Sequence, residues 1–153
     1  MEKPINLRGA KTSGVEVIAA AKLGKWFSIN GNYSKFYSKI SSEDENNGDQ
    51  LKDQFNWTAK ILADIKLPAR IGLQVISNWV GPKNTLQSGE GEVHFVDFGI
   101  QKEFGKGNVV FLRGTDLFDT LKKLKYTNTA TQVSNTFEQT QGRVFSIGAS
   151  VVF

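Results

Sequence analysis

His94 is the only histidine of the chain, so any catalytic or metal-binding chemistry based on imidazole must involve it. Ser88, His94 and Asp97 contain the three side-chain types of a serine-hydrolase triad. On one strand, however, His94 and Asp97 are an odd number of residues apart, so their side chains face opposite sides. A single histidine and the absence of cysteine also argue against a zinc or His-cluster site. We therefore expect no catalytic residue, no cofactor-binding residue and no metal ligand, and a protein that is not an enzyme.

Four further segments carry weak functional signals. The acidic segment 42–53 offers oxygen ligands for calcium, but its spacing does not fit an EF-hand loop, and we interpret it as a mobile surface loop. Segments 89–92 and 105–107 contain glycines, but no helix follows to present amides to a phosphate, so they are interpreted as a loop and a turn. The basic segment 121–126 could contact anionic lipid headgroups, although a solvated loop is the simpler interpretation.

Composition bounds the class of protein. The 153 residues are 39% hydrophobic and 22% charged, which is typical of an ordered single domain. The longest apolar run, 14–23, is interrupted by Glu16 and Lys22 and is far shorter than the roughly 20 apolar residues of a spanning helix. Residues 1–4 do not lead into the apolar core of a signal peptide, and none is expected here. The net charge of +4 is too mild to indicate a nucleic-acid partner.

Apolar residues recur with a period of two along most of the chain, which indicates β-strands. In segment 55–67 every odd position is apolar, and all but one even position is polar. The strong strand predictions are 14–22, 26–40, 55–67, 70–80, 92–104, 108–117 and 143–153. Two weaker predictions are 5–10 and 129–137. The fold class predicted is all-β, an antiparallel meander of about seven to eight long strands.

The connections between these strands alternate in length. Short connections are predicted at 23–25, 67–69 and 105–107, and long ones at 41–54, 81–91 and 118–142. In a meander, alternate connections fall at opposite ends of the sheet, so the short turns share one end and the long loops share the other. Long strands joined in this way are typical of a transmembrane β-barrel, or of part of a larger one.

Alternation alone does not separate a membrane barrel from a soluble one, because the apolar face points outward in the first and inward in the second. Aromatic residues near both strand ends favour lipid on the apolar side. Small residues in the middle of the strands and strand lengths of eleven to thirteen residues favour it as well. The opposite face would then line a polar lumen, and the candidate lining residues are Lys60, Asp64, Gln74, Asn78, Asp97 and Gln101. Arg113 and Asp116 face opposite sides of their strand, and the inward one of the two is left open.

The chain ends in an alternating segment whose apolar positions are Phe145, Ile147, Ala149, Val151 and Phe153. This segment resembles the C-terminal signal that the barrel assembly machinery recognises in bacterial outer-membrane proteins. Segment 113–120 resembles the Asp-(Ile/Leu)-Phe-(Asn/Asp)-Thr element that precedes the last long loop of TonB-dependent receptors, and Gly14-Val15-Glu16 resembles the Gly-x-Glu that opens one of their strands. Over essentially its whole length, the chain is similar to the C-terminal part of such a receptor's barrel, within the outer-membrane-protein β-barrel family.

The resemblance implies a single domain over residues 1–153, the C-terminal portion of an outer-membrane β-barrel with no plug domain. It implies a receptor that binds and takes up a nutrient, located in the cell outer membrane of a Gram-negative bacterium. The implied partners are outer-membrane lipid, the barrel assembly machinery, the rest of the receptor barrel and its plug, and a surface lipoprotein. Such receptors have a barrel of about 22 strands, so this chain would supply one part of it.

Two alternatives stay open. The chain could be a small independent outer-membrane barrel with a structural or adhesive role, since about 8 strands suffice to close one. It could also be a soluble ligand-binding barrel, in which Phe55, Trp57, Ile61 and Ile65 would line an interior pocket.

Overall fold

The computed structural model describes residues 6–44, 48–84, 88–128, 133–139 and 142–152. The described chain consists of eleven strands and one short 3-10 turn at Pro68–Arg70. The strands are β1 Asn6–Leu23, β2 Phe27–Asp44, β3 Gly48–Leu67, β4 Ile71–Val80, β5 Lys83–Asn84, β6 Ser88–Glu90, β7 Val93–Phe104, β8 Asn108–Thr115, β9 Lys122–Asn128, β10 Val133–Gln139 and β11 Val144–Ser150. The described ranges contain no helix that is long and apolar enough to cross a membrane.

Seven long strands form one antiparallel sheet in the order β1-β2-β3-β4-β7-β8-β11. These are the seven strong strand predictions, so the all-β antiparallel meander is confirmed. The weak prediction 5–10 is the beginning of β1 rather than a separate strand. Strands β1 and β11 form the two edges of the sheet, and in the described residues no ladder joins them to close a barrel.

The predicted long connections are only partly loops. The acidic segment 42–53 was wrongly predicted as a loop, because β2 continues to Asp44 and β3 already begins at Gly48. The other two long connections contain β5, β6, β9 and β10, which form a second sheet in the order β10-β9-β6-β5. The basic segment 121–126 therefore lies mostly in strand β9, and the weak prediction 129–137 corresponds to β10 with its first residues outside the described ranges.

The three short turns lie at one end of the main sheet, as the alternating connection lengths predict. Two of them contact each other, because the Arg70 guanidinium donates to the Gly105 carbonyl at 2.9 Å and lies 3.5 Å from the Glu103 carboxylate. Gly105 adopts a φ of 54°, in the left-handed region that glycine enters without steric cost. We call this the short-turn end and the opposite one the long-loop end.

Within the described ranges, no second layer of protein covers either face of the main sheet. Among the described apolar side chains, only Val93 is buried, at 4% exposure. The register places the apolar odd positions of β1 to β4 on one face, together with the even positions of β7 and β8 and the odd positions of β11. A soluble domain buries such a face against a second layer. Here the apolar face is left open.

Gly114 fills a space between two aromatic rings on the apolar face. A Cβ at this position would overlap the Phe98 ring and lie 2.9 Å from Cε1 of Phe145. We expect Gly114→Ala to destabilise the fold by about 1–3 kcal/mol, since overpacking forces ring and backbone shifts. Gly99→Ala is the matched control, because a Cβ there lies 3.8 Å from Cγ of Arg113, an ordinary contact. Urea unfolding in detergent measures both variants, and equal midpoints would contradict the expectation.

The second sheet carries an exposed ion pair between Lys125 of β9 and Glu138 of β10. The hydrogen bond to Glu138 and the attraction of its charge raise the pKa of Lys125 above the ordinary value of 10.5. A raised lysine pKa adds stability that is complete below pH 10.5 and is lost as the pH rises through the folded-state pKa. We expect Glu138→Gln to lower the Lys125 pKa in an NMR titration. Asp119→Asn, which breaks the neighbouring 3.0 Å pair with Lys122, should leave it unchanged.

Candidate functional site

The candidate site is the polar face of the main sheet, where the structure brings together all six predicted lumen residues. Lys60 and Asp64 lie on β3, and the register sets them opposite Asn78 and Gln74 of β4. The Gln74 side-chain amide donates to the Asp64 carboxylate at 2.8 Å. Asp97 and Gln101 lie on the same face of β7, opposite Ile76 and Gly72. Their common face follows from the register, while their role in lining a lumen stays a prediction.

The polar face encloses a concavity of about 420 Å³ towards the short-turn end. Its lining runs from Lys22 of β1 to Arg113 of β8. Five inter-strand spacings separate β1 from β8, so a flat sheet would hold them about 24 Å apart. That both strands line one concavity indicates that the sheet curls with its polar face on the inside. The apolar face is then convex, which is the arrangement of a barrel in lipid rather than of a soluble barrel.

Positive charge predominates in the concavity. Lys22, Lys66 and Arg113 line it together with a single carboxylate, Asp64. The Arg113 guanidinium lies 4.6 Å from the centre of the Phe111 ring, a cation–π contact that fixes its position over the polar face. The question left open for Arg113 is thereby answered, because Arg113 shares the concave face with the candidate lumen residues. An anionic group of a ligand or a partner would fit this lining better than a cation.

Asp116 does not lie on a strand face but organises the turn that follows β8. It is the most buried side chain described, at 2% exposure, and its φ is 50°. Its carboxylate accepts hydrogen bonds from the backbone N–H groups of Thr120 and Leu121, at 2.8 and 3.1 Å. Its own N–H donates to the Asp97 carboxylate at 2.9 Å. Asp97 therefore holds the end of β8 against β7, in addition to lying on the polar face.

His94 and Asp97 lie on opposite faces of β7, as their odd separation predicts. His94 stacks on Trp79 of β4 with ring centres 4.7 Å apart, and its Nε2 lies 2.9 Å from the Ser77 hydroxyl. Asp97 faces the other side and accepts from Asp116. The side chain of Ser88 lies outside the described residues. The structure thus gives His94 a packing partner and a hydrogen-bond partner on the apolar face.

The C-terminal strand β11 is an edge strand of the main sheet, and its odd-numbered side chains lie on the convex apolar face. Strand β11 ends at Ser150, earlier than the predicted 153. The backbone N–H of Val152 instead donates to the Asn108 side-chain oxygen at 2.9 Å, which draws the chain out of the ladder. Four positions of the predicted assembly signal are exposed on this face or just beyond its strand, namely Phe145, Ile147, Ala149 and Val151. Phe153 lies outside the described residues.

Two features of the site were missed by reasoning from sequence. The burial of Asp116 was not predicted, although the sequence Asp116-Leu117-Phe118-Asp119-Thr120 is a typical local hydrogen-bonding turn. Strands β5, β6 and β9 of the second sheet were predicted as loop, although Leu124 and Tyr126 alternate with polar residues in β9. The Tyr126 ring of β9 covers Gly89 of β6. The sheet therefore forms by pairing between the long connections 81–91 and 118–142, which are distant in sequence.

Comparison with known proteins gives one match. A family model described as the outer membrane protein beta-barrel family matches residues 1–152. No curated protein and no solved structure matches the chain.

Proposed function

Because the chain belongs to the outer membrane protein beta-barrel family and hence to the bacterial outer membrane, we propose that it is the C-terminal part of the barrel of a TonB-dependent receptor. Its role would be to bind a nutrient and to support its energised uptake into a Gram-negative cell. The function is one of binding and transport rather than catalysis. The proposed partners are outer-membrane lipid, the barrel assembly machinery, the remaining barrel strands with their plug, and a surface lipoprotein.

One observation carries this proposal: the main sheet curls with its polar face inside, yet its two edge strands are not paired with each other. A membrane barrel leaves no sheet edge in the hydrocarbon, because unpaired backbone groups are costly there. Seven strands are also fewer than the about 8 of the smallest barrels. Additional strands that pair with β1 and β11 would complete the wall, and a receptor barrel of about 22 strands provides them.

The polar concave face supports the same proposal. In a receptor barrel this face would meet the plug or the path of the nutrient. The charged and amide groups of Lys66, Gln74 and Arg113 are available along the concavity for hydrogen bonds to either. Its cationic lining favours a nutrient or a plug surface that presents carboxylate or phosphate groups.

Refolding of the isolated chain tests the partial-barrel part of the proposal. We expect the chain to give no heat-modifiable band on gels after dilution from urea into detergent micelles. Co-expression with the missing barrel strands and plug should produce that band. A heat-modifiable barrel from the chain alone would contradict the proposal and favour a small independent barrel.

An uptake assay tests the receptor part. Cells with and without the intact receptor are given labelled oligosaccharides, peptides and iron chelates, in the presence and absence of a protonophore. We expect a protonophore-sensitive component of uptake that disappears with the receptor. Uptake of every compound that is identical in the two strains would count against an energised receptor.

A small independent barrel with a structural or adhesive role is the second candidate. The second sheet favours it, because four strands at the long-loop end form an ordered surface where long connections with one weak strand were predicted. An adhesive surface would be impaired by breaking the β6–β9 pairing, with the barrel itself unaffected. The soluble-barrel alternative has no comparable support, because the family is one of the outer membrane.

A further inference from the structure

Three lysines interrupt the apolar face of the main sheet towards its long-loop end. Lys11 of β1 and Lys39 of β2 are directly opposite each other in the ladder, and Lys35 of β2 is opposite Val15. Their odd positions put all three on the same face as Val17 and the other apolar side chains. All three lysines are exposed. We call Lys11, Lys35 and Lys39 the lysine cluster.

The lysine cluster lies where the apolar part of the face ends. A tilted strand crosses the hydrocarbon in about 9 to 11 residues. Counted from Phe27 at the short-turn end of β2, the eleventh residue is Tyr37, so the hydrocarbon ends near this position. Lys39 is the next residue outward on that face, and the same count along β1 from Leu23 ends just before Lys11. Lys35 lies one position inside this limit, and its flexible stem lets the ammonium reach the headgroup level.

In the ladder, the residues directly opposite Lys11 and Lys35 carry no carboxylate, because Lys11 is opposite Lys39 and Lys35 lies between Val15 and Trp57. Like charges directly opposite each other in a ladder are destabilising unless an anion lies between them. On the other side of Lys39, the register position belongs to Asp53 of β3. The pair between the two lysine rows, Ser13 opposite Tyr37, supplies hydroxyl groups on the same face.

The surface directly below the lysine cluster is apolar and open. Val15 is 67% exposed and Val17 is 55% exposed, and Tyr33 lies opposite Val17 on β2. Cations and hydroxyls above exposed aliphatic side chains match a molecule with a phosphate head and acyl tails. A free phosphate or a soluble anion would use only the upper half of this surface.

We propose that the lysine cluster is a lipid-binding site that holds the phosphate headgroup of an anionic lipid in the leaflet at the long-loop end. The acyl chains lie along Val15, Val17 and Tyr33. This site depends on membership of the outer-membrane family and not on the receptor proposal, since it lies on the convex face of the sheet. A phosphate between Lys11 and Lys39 would remove the repulsion within the ladder and hold β1 against β2.

Binding of purified lipid A to the intact protein, extracted from outer membranes in neutral detergent, tests this site. Native mass spectrometry compares diphosphorylated lipid A with its dephosphorylated counterpart, and inorganic phosphate is added as a competitor. Each lysine near an anionic surface contributes about 1 kcal/mol, or about fivefold in affinity. We expect Lys11→Gln/Lys35→Gln/Lys39→Gln to weaken binding of the diphosphorylated lipid by about tenfold or more.

The control variant, Lys22→Gln/Lys60→Gln/Lys66→Gln, removes three lysines from the polar face and should bind the lipid as the wild type does. Equal binding of the dephosphorylated lipid, or an equal loss in the control, would overturn the proposal. Full competition by millimolar phosphate would overturn it too, since it would indicate a site for free anions. Should the triple variant fail to fold, Lys11→Gln and Lys39→Gln alone are expected to weaken binding several-fold each.

Discussion

Val75→Arg is expected to prevent stable insertion of the protein into the outer membrane. Val75 lies on the convex apolar face of β4, between Ala63 of β3 and Phe98 of β7. It is in the middle of the strand, where lipid would surround an arginine with no water. Arginine or lysine at the bilayer midplane of a membrane barrel costs about 2–4 kcal/mol. The amount of protein in isolated outer membranes and its urea midpoint in detergent measure the effect.

Gln74→Arg is the matched control for this substitution. Gln74 is the adjacent residue on the opposite face, where its amide already contacts the Asp64 carboxylate at 2.8 Å. An arginine there can pair with Asp64 in a wet, concave environment, so its effect should stay within about 0.5 kcal/mol. The reverse result, with Gln74→Arg excluded from the membrane and Val75→Arg accepted, would mean that the apolar face is the inner one.

Asp116→Ala is expected to destabilise the protein by about 3 kcal/mol or more. The substitution removes the acceptor for two backbone N–H groups and for the Thr120 hydroxyl, which lies 3.3 Å away. Hydrogen bonds to a charged group contribute about 1.5–3 kcal/mol each. Alanine also tolerates the φ of 50° poorly. Urea unfolding of the intact protein extracted from outer membranes, followed by heat-modifiable gel mobility, measures the loss.

Two further variants separate these contributions. Asp116→Asn keeps one acceptor oxygen and a residue type that enters the left-handed region readily, so about half of the loss is expected. Asp119→Asn keeps a similar φ of 57° and removes the negative charge of the pair with Lys122, so its effect should be below about 1 kcal/mol. An Asp116→Ala variant as stable as the wild type would show that the turn after β8 adds nothing to the fold.

Prediction from sequence failed at the ends of β2 and β3, where neither face of the strand is apolar. Residues 42–44 and 48–53 are strand, yet the segment 42–53 shows no period of two because its residues are polar at nearly every position. A period appears only when the two faces of a strand meet different environments. A loop was expected in this segment because that signal is missing. The strands there are held by the backbone ladder between β2 and β3, which leaves no pattern in the side chains.

The six candidate lumen residues share one face because of the same alternation, while their role in lining a lumen stays a prediction. Lys60, Asp64, Gln74 and Asp97 have apolar neighbours on both sides, Asn78 and Gln101 have one on one side, and the strands that contain all six were predicted. The environment of Asp116 could not be predicted from alternation, because Asp116 lies in a turn and not on a strand face. Its burial depends on contacts with β7, to which it is joined through Asp97.

The sequence by itself determined the strand class, the seven long strands, the faces of their residues and the end at which the short turns lie. Each of these is local, set by alternation and by turn residues within about a dozen positions. Only the tertiary structure decided which face is concave, how the long connections pair into a second sheet, and which charges come together. Lys22 and Arg113 line one concavity, and Lys11 is opposite Lys39, because strand register and curvature bring distant segments together. Such contacts depend on the whole sheet and leave no periodic signal in any one segment.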